Sequence, residues 1–388
     1  MDYAKDLTFN YFQPTRIVFG AGAVKDVALE LKKLNVQRAA VVTDKVLREK
    51  TDVVARVERA LAGRLAGVFD GVVADSPADV IDRAANWARE AGADGLVSVG
   101  GGSAIDTTKG MAIVLTEGGP GASIRDYQGS QRLSRKQTPH LAIPTTAGTG
   151  SEVTGYAVVL GEGEKMHYAD DRIIPDAAIL DPELTLGMPR ALAAATALDA
   201  LTHAIEAYTS IARHPLADAQ ALHAIRLIAR HLPRVLDDGS DLVARGQLMC
   251  AANLAGQAFN ASGVGLVHAM AHVVGARYHV HHGTANAICL PHVMRFNADE
   301  LGERLADVAG ALGLPPSENA MQAAERAASA VAKLVASTGL PTRLRDVGVP
   351  EGELPLCAEA SLADGAIVYN GKFAADADMV LAVYREAY

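Results

Sequence analysis

Between Arg38 and Leu115 short β-branched runs alternate with longer runs at helical spacing, and no other feature narrows the fold as much. RAAVVTD (38–44) reads as a buried strand, VARVERALAGRL (54–65) as a helix, GVFDGVV (67–73) as a strand and VIDRAANWAREAG (80–92) as a helix. GLVSVGGGS (95–103) reads as a strand running into a glycine turn, and a helix from about Ala104 to Leu115 follows. Consecutive strands joined by helices run parallel, so a parallel sheet covered on both faces is expected, with ligands bound at the carboxyl ends of its strands. After DPELTLGMP (181–189) the texture changes. From about Arg190 the chain turns to long Ala/Leu/His-rich runs such as ALAAATALDALTHAIEAYTSIA, with few β-branched clusters, and reads as helical.

The length of 388 residues supports two such domains, 1–185 and 186–388. Thirty-six basic residues against 45 acidic ones give a net charge of −9, and no Lys/Arg-rich run stands out, so nucleic acid is not an expected partner. Only one Trp and seven Phe occur, which leaves no aromatic platform for stacking bases. No stretch of about 18 apolar residues runs without a charge or turn former, so no membrane span is expected. MDYAKDLTFNYFQP (1–14) has no apolar segment behind a basic one, and the cytoplasm is the expected location. Cys250, Cys289 and Cys357 form no CxxC pair and leave one unmatched, which fits a reducing compartment.

Gly100-Gly101-Gly102-Ser103 joins the strand VSV to a helix carrying Asp106 and Lys109. Glycines there let the backbone approach a ligand, and the unpaired amides and positive end of a helix favour an anion such as a diphosphate. A tight turn without a ligand is the bland alternative. A second turn, Pro144-Thr145-Thr146-Ala147-Gly148-Thr149-Gly150-Ser151-Glu152, offers hydroxyls and amides to phosphate or ribose oxygens, or simply caps a helix. Asp44 ends its strand where a carboxylate can accept from a ribose diol and repel a 2′-phosphate, which favours NAD over NADP; a helix cap is the alternative. The early GAGAVK (20–25) lacks the third glycine of a Rossmann fingerprint.

Half of the twelve histidines fall between His268 and His292. Residues four apart share one helical face, so Asp199 and His203 come together, as do His268 and His272, with His282 ten residues further on. One carboxylate and three imidazoles suit Fe2+ or Zn2+ and are wrong for Ca2+ or Mg2+, and four protein ligands leave a position for substrate. Each histidine alone reads as a core-edge side chain on a backbone carbonyl; the cluster reads as a metal site.

GGGSAIDTTKG (100–110), PTTAGTGSEVT (144–154), DALTHAIEAY (199–208) and GLVHAMAHVVGARYHVHHGTANAICLPHVMRFN (265–297) closely resemble the iron-dependent, group III alcohol dehydrogenases, a family that includes lactaldehyde reductase, 1,3-propanediol dehydrogenase and butanol dehydrogenases. The resemblance covers essentially the whole chain. It implies an α/β plus all-α fold, with an amino-terminal Rossmann-like parallel-sheet dinucleotide domain followed by a helical metal-binding domain. It implies hydride transfer between NAD(H) and a small primary alcohol, aldehyde or diol, with Fe2+ as the metal and Zn2+ open. Carried over by position, Asp199, His203, His268 and His282 are the metal ligands, and Gly100, Gly101, Gly102 and Ser103 hold the pyrophosphate. Thr145, Thr146 and Thr149 line the cofactor, Asp44 sits at the adenosine ribose, Asp106 falls beside the cofactor, and Lys165 looks like a cofactor-side lysine. His272, one helical turn from His268, is close enough to relay the proton or, instead, to orient a ligand. By the resemblance Tyr156 falls where some relatives carry a small amide near substrate, and Phe259 matches an aromatic position beside substrate, with core packing as the alternative. This chain has His281-His282-Gly283 where many members have Pro-His-Gly, so either histidine can face the metal, and the glycine alignment favours His282. A homodimer or larger homo-oligomer is the expected assembly.

Overall fold

The computed structural model describes residues 7–161, 165–317 and 319–388, so the first six residues of the leader reading lie outside it. The chain divides into two compact units: Phe12–Met188, and Pro189–Tyr388 together with the stretch up to Tyr11. The first contains strands β1 (Arg16–Phe19), β2 (Ala39–Val42), β3 (Leu65–Phe69), β4 (Gly95–Gly100), β5 (Gly129–Ser130), β6 (His140–Pro144), β7 (Tyr156–Leu160), β8 (Lys165–Ala169) and β9 (Ala177–Leu180). Its helices are α1 (Val27–Lys33), α2 (Lys45–Lys50), α3 (Val53–Ala60), α4 (Ala78–Glu90) and α5 (Gly102–Glu117).

Six strands form a parallel sheet in the order β1-β9-β6-β4-β2-β3, as the alternation of strand and helix demands. Side chains on β2 alternate between its two faces. Ala40 and Val42 join Ile81, Leu96 and Met111 in one core, while Ala39 and Val41 join Leu31, Val57 and Val97 in the other. A strand buried on both faces must be apolar throughout, which is why RAAVVTD reads without polar alternation. The chain runs from β2 outward to β3 and then returns to β4 on the other side of β2, so the strand order reverses at the β2/β4 pair. Loops after two such strands diverge and leave a crevice at their carboxyl ends.

Three boundaries differ most clearly from the sequence expectation. The helix expected over 54–65 ends at Ala60 because Ala62 and Gly63 take positive φ, and the strand expected over 67–73 opens two residues earlier, at Leu65. The helix after the triple glycine starts at Gly102 rather than Ala104, since the Gly101 carbonyl already accepts from Ala104 and Ile105. β7 and β8 form an antiparallel pair flanked by β5, a second small sheet outside the strand–helix rhythm.

The second unit contains α6 (Arg190–Thr209), α7 (Pro215–Asp237), α8 (Leu242–Ser262), α9 (Leu266–Tyr278), α10 (His282–Ala311), α11 (Ala320–Thr338), α12 (Leu354–Leu362) and α13 (Ala377–Ala387). From Ala193 to Thr209 every residue of α6 is buried, so this helix is central, and its many alanines allow neighbouring helices to approach closely. The three cysteines are free. Among the described residues no helix is long and apolar enough to cross a membrane.

Candidate metal centre and cofactor cradle

Asp199 and His203 lie one turn apart on α6, His268 and His272 one turn apart on α9, and His282 opens α10. One ligand atom from each of Asp199, His268 and His282 lies within 4.8 Å of the others. Asn286, one turn after His282, donates its amide to Asp199 Oδ1 at 2.7 Å and sits 3.2 and 3.4 Å from Nε2 of His282 and His268. Three electron-rich atoms from separate helices thus face one point. A carboxylate oxygen with imidazole nitrogens is the donor set that Fe2+ or Zn2+ takes, so these residues fit such an ion.

His203 stands beside this trio. Its Nε2 is 3.9 Å from Asp199 Oδ1, its ring stacks on His268 with centroids 4.6 Å apart, and its buried Nδ1 has no hydrogen-bond partner among the described residues. Phe259 covers the opposite face of that ring at 4.4 Å. His281 caps the start of α10 through its carbonyl, while His282 Nε2 is 3.5 Å from Asp199 Oδ1. His272 is outside the trio, with Nδ1 2.9 Å from Asp364 Oδ2.

Burial by itself raises the Asp199 carboxyl pKa, but the imidazoles of His203, His282 and His268 and the Asn286 amide outweigh it and hold the group below the ordinary aspartate value. Burial, aided by His203, keeps His268 neutral far below the usual imidazole range, which leaves a lone pair for a metal. Glu206, fully buried seven residues after Asp199, orients that lone pair. It accepts from Val267 N at 2.6 Å and lies 2.5 Å from His268 Nδ1, so a proton on Nδ1 leaves Nε2 as the ligating nitrogen. Burial pushes the Glu206 pKa up to about 7 against the backbone amides of Gly265 and Val267. Neither Glu206 nor Asn286 is among the residues picked out from sequence, yet each lies on a ligand's helical face: 199, 203 and 206 share one, 282 and 286 another.

In the sheet unit the triple glycine lies at the crevice predicted by the strand order. Gly100 has φ +152°, where a Cβ would come 2.7 Å from that of Ala104. Side chains on Gly101 and Gly102 would press on Thr146 and Thr149 at 3.3 and 2.8 Å, so both threonines border the turn. Gly101 caps α5 with no side-chain bond to the first amides, which leaves them able to bind an anion. The Thr145 amide donates to the Gly100 carbonyl at 3.0 Å, and the Ser103 carbonyl accepts from Ser76. Asp44 Oδ1 caps α2 by accepting from Leu47 N at 2.9 Å, while Oδ2 points toward Gly100. A bare, uncapped helix start bordered by hydroxyls and one carboxylate fits a dinucleotide.

The remaining expected residues sit elsewhere in that unit. Asp106 accepts from Ser151 Oγ at 2.5 Å and Val158 N at 3.1 Å. Lys165 opens β8, with Nζ 3.6 Å from Asp75. Tyr156 opens β7, partly exposed, and its carbonyl accepts from the buried Lys109.

Known proteins are similar to this chain along nearly its whole length. Residues 14–182 match the family model described as iron-containing alcohol dehydrogenase, and residues 193–388 match the carboxyl-terminal model of the Fe-containing alcohol dehydrogenase family. The chain is 40% identical to the 1,3-propanediol dehydrogenase of Klebsiella pneumoniae, over 98% of this chain and 99% of that protein. The crystal structure of a 1,3-propanediol oxidoreductase superposes with a TM-score of 0.94 at 38% identity, covering 98% and 100% of the two chains. Sulfoacetaldehyde reductase from Bifidobacterium kashiwanohense, solved in complex with NAD+, superposes with a TM-score of 0.89 at 28% identity, covering 98% and 99%.

Proposed function

The chain belongs to the iron-containing alcohol dehydrogenase family, and from that premise we propose that it transfers a hydride between NAD(H) and a small primary alcohol, aldehyde or diol, using Fe2+ or Zn2+. The convergence of Asp199, His268 and His282 carries the proposal. His203 is the fourth ligand in this reading, supported by its Nε2 lying 3.9 Å from Asp199 Oδ1 and its ring stacking on His268. A divalent cation there supplies Lewis-acid polarisation of a substrate oxygen.

The protein's own residues do the rest. Gly100 to Ser103 hold the pyrophosphate at the start of α5, Thr145, Thr146 and Thr149 line the cofactor, and Asp44 accepts from the ribose. Asp106 lies beside the cofactor and Lys165 is a cofactor-side lysine in this reading. Phe259 presents an apolar wall beside His203, and Tyr156 is the sheet unit's substrate-side residue in this reading. In alcohol oxidation the hydroxyl O–H breaks and its proton passes to His272 Nε2, while the carbinol C–H leaves with its electron pair as hydride to nicotinamide. His272 then releases the proton to solvent, and the reverse sequence reduces an aldehyde.

The assembly is proposed as a homodimer or larger homo-oligomer, because among the described residues β1 is an edge strand that exposes Ile17 and Phe19 and pairs on one side only. The enzyme is placed in the cytoplasm, which suits three free thiols. The central test is direct. Purified protein loaded anaerobically with Fe2+ should form NADH from NAD+ and a C2–C4 alcohol or diol, and Asp199→Ala and His268→Ala should each lose both metal and turnover. Absence of NADH across the panel with metal-loaded wild type overturns the proposal.

A further inference from the structure

Residues 364–372 are stitched to the helices that carry the proposed ligands. Asn370 accepts from Leu266 N at the start of α9 at 3.3 Å and exchanges amide hydrogen bonds with Asn297 of α10 at 3.0 and 3.3 Å. Lys372 Nζ reaches Asp299 and the Phe296 carbonyl, both on α10, at 2.8 and 3.0 Å. The Tyr369 ring fills the space that any side chain on Gly263 would need. Asp364 begins this fastened segment. Its Oδ1 caps the turn by accepting from Ala366 N at 2.8 Å, and its Oδ2 lies 2.9 Å from His272 Nδ1. The two side chains are only 14% and 17% exposed, too sheltered for an ornamental surface pair. The His272 ring so held lies 14° from parallel to His282, with centroids 5.5 Å apart, and edge-on to His268 at 6.0 Å.

We propose that Asp364 is a positioning residue for the hydride-transfer reaction: accepting from Nδ1–H, it fixes the ring orientation and tautomer of His272, so that Nε2 is the nitrogen presented to the substrate hydroxyl. The role rests on the alcohol-oxidation reading above. Two carboxylates thereby orient two imidazoles of one helix, Glu206 the ligand His268 and Asp364 the relay His272. An isolated imidazole populates both tautomers and swings about its χ angles; a carboxylate fixed at both oxygens removes that freedom before the reaction begins.

Asp364→Ala should lower kcat by about 10- to 100-fold, with the alcohol KM and the Zn2+ affinity shifted by less than about threefold. Asp364→Asn, whose amide oxygen still accepts from Nδ1–H, should recover much of kcat, and it keeps the test usable if the alanine variant misfolds. A readout independent of turnover is 15N NMR of histidine-labelled, zinc-loaded protein, with the His272 signal assigned from His272→Gln. Wild type and Asp364→Asn should show the Nδ1–H tautomer, and Asp364→Ala a mixture. An active wild type whose Asp364→Ala variant keeps kcat, or whose His272 carries its proton on Nε2, overturns this role alone. A wild type that oxidises no alcohol overturns the parent reading and this role with it.

Discussion

Lys109 is fully buried on α5, where Nζ donates to Ser151 Oγ at 2.8 Å, Thr154 Oγ1 at 3.3 Å and the Tyr156 carbonyl at 2.6 Å. Burial drives its pKa down to about 8, against the opposing pull of Asp106 and Glu152. Below about pH 8 native and unfolded chains both hold this proton, and the native state bears the cost of a buried charge. Between about 8 and the unfolded value of roughly 10.4 only the unfolded chain keeps it, so stability rises with pH across that window. The unfolding free energy of wild type relative to Lys109→Met, which has no charge to lose, measured by urea titration, should therefore climb from pH 8 to pH 10.5, by up to about 3 kcal/mol. A flat difference would show that the ammonium is not desolvated. The lysine is visible in the sequence beside the glycine turn, but its partners are not. Ser151, Thr154 and Tyr156 lie more than 40 residues ahead, and the spacing of GGGSAIDTTKG contains nothing that points to them. Asp106 shares this limit, since the groups donating to it, Ser151 and Val158, come from the same distant stretch.

Helix α10 reaches α6 through a glycine. A Cβ on Gly283 would overlap the Ala195 carbonyl and come 3.3 Å from the Asp199 Cβ, so the two helices meet with backbone against backbone there. Neither partner is the free end of a flexible side chain, and the overlap must be relieved by moving an element. Gly283→Ala should push His282 away from Asp199, lowering Zn2+ affinity at least about tenfold in a chelator competition and costing about 1–3 kcal/mol of stability. Unchanged affinity would mean that α10 shifts without carrying His282. This glycine follows the last expected ligand in the sequence, where it helps to choose His282 over His281; the structure adds that it sets the distance between two ligand-bearing helices. Long helices such as α6 are legible because 20 residues rich in Ala and Leu, with no Gly or Pro inside, are too long for a strand and favour a helix. The strands YAVVL and AAIL are not, since five- and four-residue apolar runs carry too little periodicity to separate strand from helix, and β7–β8 pairs antiparallel outside the strand–helix alternation. Asp364 has no local signature either, standing 92 residues from the histidine it contacts.

At the scale of the molecule, the change of texture near Arg190 is legible because parallel sheets and helical bundles demand different residue periods over many turns. That the stretch up to Tyr11 clusters with the helices is not legible: Phe9 stacks on His214 at 4.2 Å and the Tyr11 hydroxyl accepts from Gln220 at 2.7 Å, contacts some 200 residues away in sequence. The glycine cradle and the trio of ligand residues belong to different compact units, and this division predicts how two ligands act on one chain. A ligand that binds only the native state stabilises it by about 2.7 kcal/mol at a hundred times its Kd, which raises the melting temperature of a unit of this size by roughly 5–10 °C. In metal-free protein, Zn2+ and NAD+ should each give such a shift. Asp199→Ala removes a carboxylate from the helical unit and should abolish the Zn2+ shift while keeping that of NAD+. Gly102→Ala places a methyl 2.8 Å from Thr149 within the cradle and should do the reverse. Thermal unfolding of the three proteins with each ligand gives six shifts. Loss of the NAD+ shift in Asp199→Ala, or of the Zn2+ shift in Gly102→Ala, would mean that the two sites are not built from separate sets of residues, because neither substitution touches a group proposed to hold the other ligand.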